Sequence, residues 1–105
     1  MNIELREITR ENLSDILNLK IAESQKGFVA TNAKSLAQSK YYPSFVPLAI
    51  YNADTPVGFV MYGVDEDDNR TWIIRMMIDE QYQGKGYGKN ALKIIIDRIT
   101  GETGC

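Results

Sequence analysis

The sequence predicts an α/β domain whose sheet is mostly antiparallel and flanked by helices. Three observations carry this reading. Apolar patterns of period two and period 3.6 follow one another as strand, helix, helix, three strands and helix. The last three strands are joined by polar turns of the kind that make hairpins. The 105 residues, 44% hydrophobic and 25% charged, suit a single globular domain spanning residues 1–105.

The elements follow in order. Ile3, Leu5 and Ile8 alternate with Glu4 and Arg6, the pattern of a first strand with one buried face. Thr9 can cap a helix through its hydroxyl, with Glu11 in the first turn, where the helix dipole favours an anion. Leu13, Ile16, Leu17 and Ile21 fall at helical spacing, which carries that helix to about Ala22, and Gly27 breaks it. A weaker helical stretch covers Ala33 to Ser39, and Pro43 and Pro47 forbid its continuation. Leu48 to Tyr51 reads as a strand, residues 52–56 as a turn, and Val57 to Val64 as the hairpin partner. Asp65 to Asn69 forms a second polar turn. Thr71 to Ile78 is the most apolar strand and is expected at the centre of the sheet. After a glycine-rich loop, Leu92, Ile95, Ile96 and Ile99 mark an amphipathic helix that should end before Gly101.

Composition excludes several function classes. With 12 Lys and Arg against 14 Asp and Glu, the formal charge is −2, which disfavours a nucleic-acid binder held by a basic face. The absence of His removes Ser-His and Cys-His catalysis and histidine-ligated metals. One cysteine, Cys105, allows neither an internal disulfide nor a cysteine zinc site, so no metal is expected. Asp65, Asp67 and Asn69 have the spacing of a calcium loop, but Arg70 and Met76 stand where that loop needs Gly and Glu. No signal peptide or membrane segment is evident, and a cytoplasmic location is the default expectation.

The sharpest feature is Gln83-Gly84-Lys85-Gly86-Tyr87-Gly88, between an apolar strand and an amphipathic helix. Alternating glycines let the backbone turn tightly and approach a ligand without Cβ clashes. The helix that follows turns unpaired N–H groups and its positive dipole end toward the loop, a geometry suited to phosphate. Lys85 and Lys89 can add positive charge. The string is neither a P-loop nor a Rossmann fingerprint. No Gly-Lys pair is followed by Ser or Thr, and the third glycine comes one residue early. A plain strand-to-helix turn whose glycines only relieve strain is the alternative.

The longer string from Ile78 to Gly88 resembles the acetyl-CoA signature of the GNAT superfamily of N-acetyltransferases, with Gln83, Gly86 and Gly88 at its defining positions. The upstream element order resembles that fold too, so the likeness covers essentially the whole chain. It implies that the backbone of Gln83, Gly84, Lys85, Gly86, Tyr87, Gly88 and Lys89 holds the CoA pyrophosphate, and that Met76, Met77 and Ile78 pair with the pantetheine arm like a neighbouring strand. It further implies attack of a neutral amine on the thioester, with a strand N–H stabilising the developing oxyanion.

Within the superfamily, the strand from Trp72 and the loop after it look most like bacterial spermine/spermidine (diamine) acetyltransferases. The implied acceptor is a small-molecule polyamine, with neither nucleic acid nor membrane as partner. A polycation calls for carboxylates and aromatic faces, and Glu23, Tyr41, Tyr42, Trp72 and the Asp65–Asp68 cluster are the material available. Each also has a purely structural reading, as a solvated helix end, a hairpin cap or core. Arg75, in an apolar strand, should meet a carboxylate or face the cofactor cleft. The family pattern continues with a strand, a helix and a final hairpin that have no counterpart after Thr100, so the resemblance implies a GNAT-like domain truncated after the CoA-binding helix. The tyrosine that usually serves as general acid lies in that part, and Tyr82 and Tyr87 sit at the pyrophosphate end. The catalytic residues are therefore unassigned. A homodimer covering the exposed sheet edge is one expectation. A CoA-binding but catalytically silent domain and a protein N-acetyltransferase stand as alternatives.

Overall fold

A computed structural model describes residues 2–20, 32–65 and 67–103, with side-chain surroundings described to Gly101. The elements are β1 (Ile3–Glu7), α1 (Leu13–Leu17), α2 (Asn32–Tyr41), β2 (Val46–Asn52), β3 (Thr55–Val64), β4 (Thr71–Ile78) and α3 (Tyr87–Thr103), with a short 3₁₀ turn, Glu80–Tyr82, between β4 and α3. The strands form one antiparallel sheet in the order β1-β2-β3-β4. The expected class, an antiparallel sheet flanked by helices, is what the chain adopts.

The core lies on both faces of this sheet. On one, Leu48, Ile50, Val60 and Tyr62 pack with Ala91 and Ile95 of α3. On the other, Ala49, Tyr51, Phe59 and Met61 pack with Ile16 of α1, and Leu36 of α2 adds to them. Burial on both faces is why β2 and β3 carry near-continuous apolar runs in place of strict alternation.

Five sequence expectations are corrected by this arrangement. The apolar strand β4 lies at the edge of the described sheet, and β3 is the deeply buried one; a run of apolar residues cannot distinguish the two positions. Thr9 does not cap α1. Asn12 holds the N-cap position, and its side-chain oxygen accepts the Thr9 N–H at 2.8 Å, so the polar turn runs the other way. The helix closes at Leu17 with Asn18 as its C-cap. Ile21, Ala22 and Gly27 lie outside the described residues. The third helix runs through Gly101 to Thr103. Finally, the side of α3 against the sheet is Tyr87, Ala91, Ile95 and Ile99, at successive i,i+4 positions, while Leu92 and Ile96 are 37% and 50% exposed.

The turns follow their local chemistry. The β2–β3 hairpin turns at Ala53 (φ 55°) and Asp54. Beside it, the Arg6 guanidinium bonds Glu4 and, at 3.0 Å, Asp54, while lying 4.1 Å from the centre of the Tyr51 ring. Those bonds, Glu4 first, push its pKa further above its ordinary value. The β3–β4 turn is closed by Asn69 (φ 58°), whose N–H donates to Asp65 O at 2.8 Å.

Candidate functional site

Where β4 ends, its outer side has no strand partner among the described residues. Gly58 and Ile78 face each other across β3 and β4, and the Asp79 N–H donates to Val57 O at 2.8 Å. In an antiparallel ladder the polar groups alternate sides, so those of Met77 turn toward β3 and those of Met76 and Ile78 turn toward the open edge. The strands meet closely here. A Cβ on Gly58 would lie 2.4 Å from Met77 O.

The loop is tied to this strand end by side chains. Asp79, 8% exposed, accepts the Lys20 N–H on one carboxylate oxygen at 2.8 Å and the Gln81 N–H on the other at 2.9 Å. Gln83 Nε2 donates to Ile78 O at 3.0 Å, fixing the loop's exit against the strand. Gly84 and Gly86 both have positive φ, 80° and 82°, a conformation side-chain-bearing residues seldom adopt. The Asn90 N–H bonds Gly86 O at 3.1 Å, which opens α3. The N–H groups of Tyr87, Gly88 and Lys89 then lack carbonyls four residues back within the helix. Lys85 and Lys89 are exposed beside them. Tyr87 is anchored on its other side, its hydroxyl oxygen accepting from Asn52 Nδ2 at 3.1 Å.

Left-handed glycines, orphan helix amides and two lysines form a cradle that fits a pyrophosphate. Next to it, the edge of Met76 and Ile78 adds backbone donors and acceptors, of which Ile78 O already accepts Gln83 Nε2. All the residues expected at the cofactor, from Met76 to Ile78 and from Gln83 to Lys89, are thus contiguous in space.

A second feature lies at the other end of β4. Tyr42 and Trp72 line one cavity of about 750 Å³, with Phe45, Ile74, Asp65 and Asp67. The Tyr42 and Phe45 rings stack 4.8 Å apart. The Trp72 indole N–H reaches Asp68 at 3.4 Å, and the residue is 51% exposed. Tyr41, 75% exposed, is not part of this lining. Glu23 lies outside the described residues. Met61, opposite Arg75, packs with Ile74 on the α1–α2 side, which puts Arg75 on that side too, between the cavity and the loop. The register shift between Met61 and Tyr62 leaves Ile74 without a cross-strand partner and places the two neighbours on one face. The carboxylate expected to pair with Arg75 is absent among the described residues. No cluster of metal-binding side chains occurs among the described residues.

Sequence reasoning missed Asp79 and Gly58. Asp79 carries a recognisable signal, an aspartate two residues before an amide it caps. Gly58 carries none, because its role depends on a strand that arrives 20 residues later.

The model of the acetyltransferase (GNAT) family matches residues 6–105. The spermine/spermidine N(1)-acetyltransferase of Bacillus subtilis (strain 168) is 35% identical over 105 aligned residues, covering 94% of this chain and 69% of that protein. Among solved structures, an acetyltransferase from Thermus thermophilus superposes with a TM-score of 0.70 at 17% identity, over 92% of this chain and 69% of that one. The PaiA N-acetyltransferase of Thermoplasma acidophilum, solved in complex with coenzyme A, gives 0.64 at 16% identity, over 99% of this chain and 75% of that one.

Proposed function

Because the chain belongs to the acetyltransferase (GNAT) family, we propose that it transfers the acetyl group of acetyl-CoA to a primary amine, and that this amine is a polyamine such as spermine or spermidine. The observation that carries the reading is the cradle between β4 and α3, with Gly84 and Gly86 at φ near 80° beneath the orphan amides of the first helical turn. The polyamine part draws on the name of the relative at 35% identity.

When bound, acetyl-CoA supplies an acetyl group activated as a thioester. The chain's own residues do the rest. The amides of Tyr87, Gly88 and Lys89 and the ammonium groups of Lys85 and Lys89 hold the pyrophosphate, with the dipole of α3 behind them. The edge N–H and C=O of Met76 and the edge N–H of Ile78, whose carbonyl already accepts Gln83 Nε2, would pair with the pantetheine amides as a neighbouring strand does. The Met76 N–H, turned toward the same edge, would be a donor to a thioester carbonyl lying there. The acceptor must be neutral when it attacks, and the Arg75 guanidinium on the neighbouring face favours loss of its proton by like-charge repulsion.

No described helix is long and apolar enough to cross a membrane, and the reading sets the chemistry in the cytoplasm. The homodimer expected from the sequence concerns the same edge. The apolar groove lined by Trp72, Ile73, Ile96 and Ile99 is open, and any copy packed there has to leave Met76 to Ile78 clear.

Thiol release measured with acetyl-CoA and spermidine tests the reading. Release should require both compounds and disappear in Gly86→Asp. Acetyl-CoA binding without release would leave a silent binding domain, and preference for a basic peptide would move the acceptor to protein amines.

A further inference from the structure

We propose that the cavity at the start of β4 is a distal cation subsite, which binds an ammonium group of the acceptor remote from the one acetylated and so selects polyamines over monoamines. The inference rests on the acetyl-transfer reading above and adds a place and a length to it.

The chemistry of the walls points to an organic cation. Tyr42, Phe45 and Trp72 line the cavity together with Asp65 and Asp67, and one oxygen of the Asp65 carboxylate accepts the Asp67 N–H at 2.7 Å. Aromatic faces attract alkylammonium groups through the ring quadrupole, and nearby carboxylates add charge attraction without demanding the loss of all water. No basic side chain lines the cavity among the described residues. A single monovalent head with a hydrocarbon chain matches this mixture better than a metal ion, which would need converging oxygens; no cluster of metal-binding side chains occurs among the described residues. Phosphate and other anions are disfavoured by Asp65 and Asp67 themselves.

The shape is fixed by the fold. A Cβ on Gly63 would lie 2.5 Å from the Phe45 ring and 3.0 Å from Ile74, so the absent side chain is what lets that ring seat against β3. The cavity wall runs along β4 from Trp72 to Ile74. From Trp72 to Met76 is four residues, about 13 Å of extended strand. An acceptor held at the cavity therefore needs a chain of that order before its second nitrogen meets the amide of Met76. Long polyamines have it; a short amine cannot engage both ends. Along β4, Arg75 lies between the two ends, opposite Met61.

Trp72 is the only tryptophan of the chain, which gives a direct probe. Its fluorescence should change saturably as spermine is added without any acetyl-CoA, and much less with butylamine. Asp65→Asn and Asp67→Asn, each preserving side-chain size, should weaken the spermine response about tenfold. In turnover, they should reduce the ratio of kcat/KM for spermine to that for butylamine by a similar factor. Circular dichroism would check that both variants fold. Across α,ω-diaminoalkanes of increasing length, kcat/KM should rise steeply once the chain spans the gap. An unchanged Trp72 signal, together with equal use of spermine and butylamine, overturns the subsite while leaving acetyl transfer standing. Spermine binding at Trp72 with no acetyl transfer to any amine would instead overturn the enzymatic reading and leave the cation site in place.

Discussion

The carboxylate of Asp79 is the structural pin of the candidate cofactor loop, and replacing it gives a quantity to work out. It is 8% exposed and accepts two backbone N–H groups, from Lys20 at 2.8 Å and from Gln81 at 2.9 Å. Hydrogen bonds to a charged acceptor contribute about 1.5–3 kcal/mol each, and Asp79→Ala leaves both donors without a protein partner. Some of that loss is offset, because the substitution also removes the cost of burying a carboxylate that has no ion pair among the described residues. A net destabilisation of about 3 kcal/mol follows, a large fraction of the roughly 5–15 kcal/mol that holds a domain of this size together. Asp79→Asn keeps one acceptor oxygen but sets an NH₂ against a donor, and should cost about half as much. Urea unfolding followed by far-UV circular dichroism measures both. The Asn variant should also bind acetyl-CoA more weakly, because the loop's entry loses one of its ties. A midpoint for Asp79→Ala that stays within about 0.5 kcal/mol of the parent, the size of an ordinary surface substitution, would refute the assigned role.

Three other outcomes are expected. Gly58→Ala forces a methyl group to within 2.4 Å of Met77 O, which is backbone and cannot step aside; urea unfolding should show a loss of about 2–4 kcal/mol, with thiol release reduced as the end of β4 shifts. Gly101→Ala should raise stability by about 0.5–1 kcal/mol, since Gly101 lies inside α3 with open space at its Cβ position; a decrease would show that the helix stops there. Arg75→Gln removes the cation that favours the neutral acceptor, so the rising limb of kcat against pH should move up by about 0.5–1 unit, and a superimposable profile would remove Arg75 from the reaction.

The parts of the fold legible in the sequence are those where periodicity and punctuation agree. The hairpin β2–β3, the limits of β4 and the glycine loop fall into this class, because alternation, a polar turn and Gly spacing each point the same way. What was hidden depends on contacts distant in sequence. The edge position of β4 is set by which strand pairs with which, and its composition gives no hint of that. On α3 four apolar residues, Leu92, Ile95, Ile96 and Ile99, occupy more than one face, and only packing against the sheet selects Ile95 and Ile99. Of the suggested acceptor residues, Tyr42 and Trp72 converge on one cavity although 30 positions separate them, while Tyr41, next to Tyr42, does not. A neighbour in sequence on a helix end points elsewhere, so residue type alone could not separate them.

Everything proposed for the reaction depends on the cradle between β4 and α3 binding the acetyl donor, and calorimetric titration of acetyl-CoA into the 105-residue chain probes that step by itself. Saturable binding at a single site is expected, abolished by Gly86→Asp, which puts a carboxylate where φ is 82° and where phosphate oxygens should lie. The variant should keep the parent's circular dichroism spectrum. No heat of binding from a chain shown to be folded, or equal binding by the Gly86→Asp chain, would mean that the cradle is not a cofactor site.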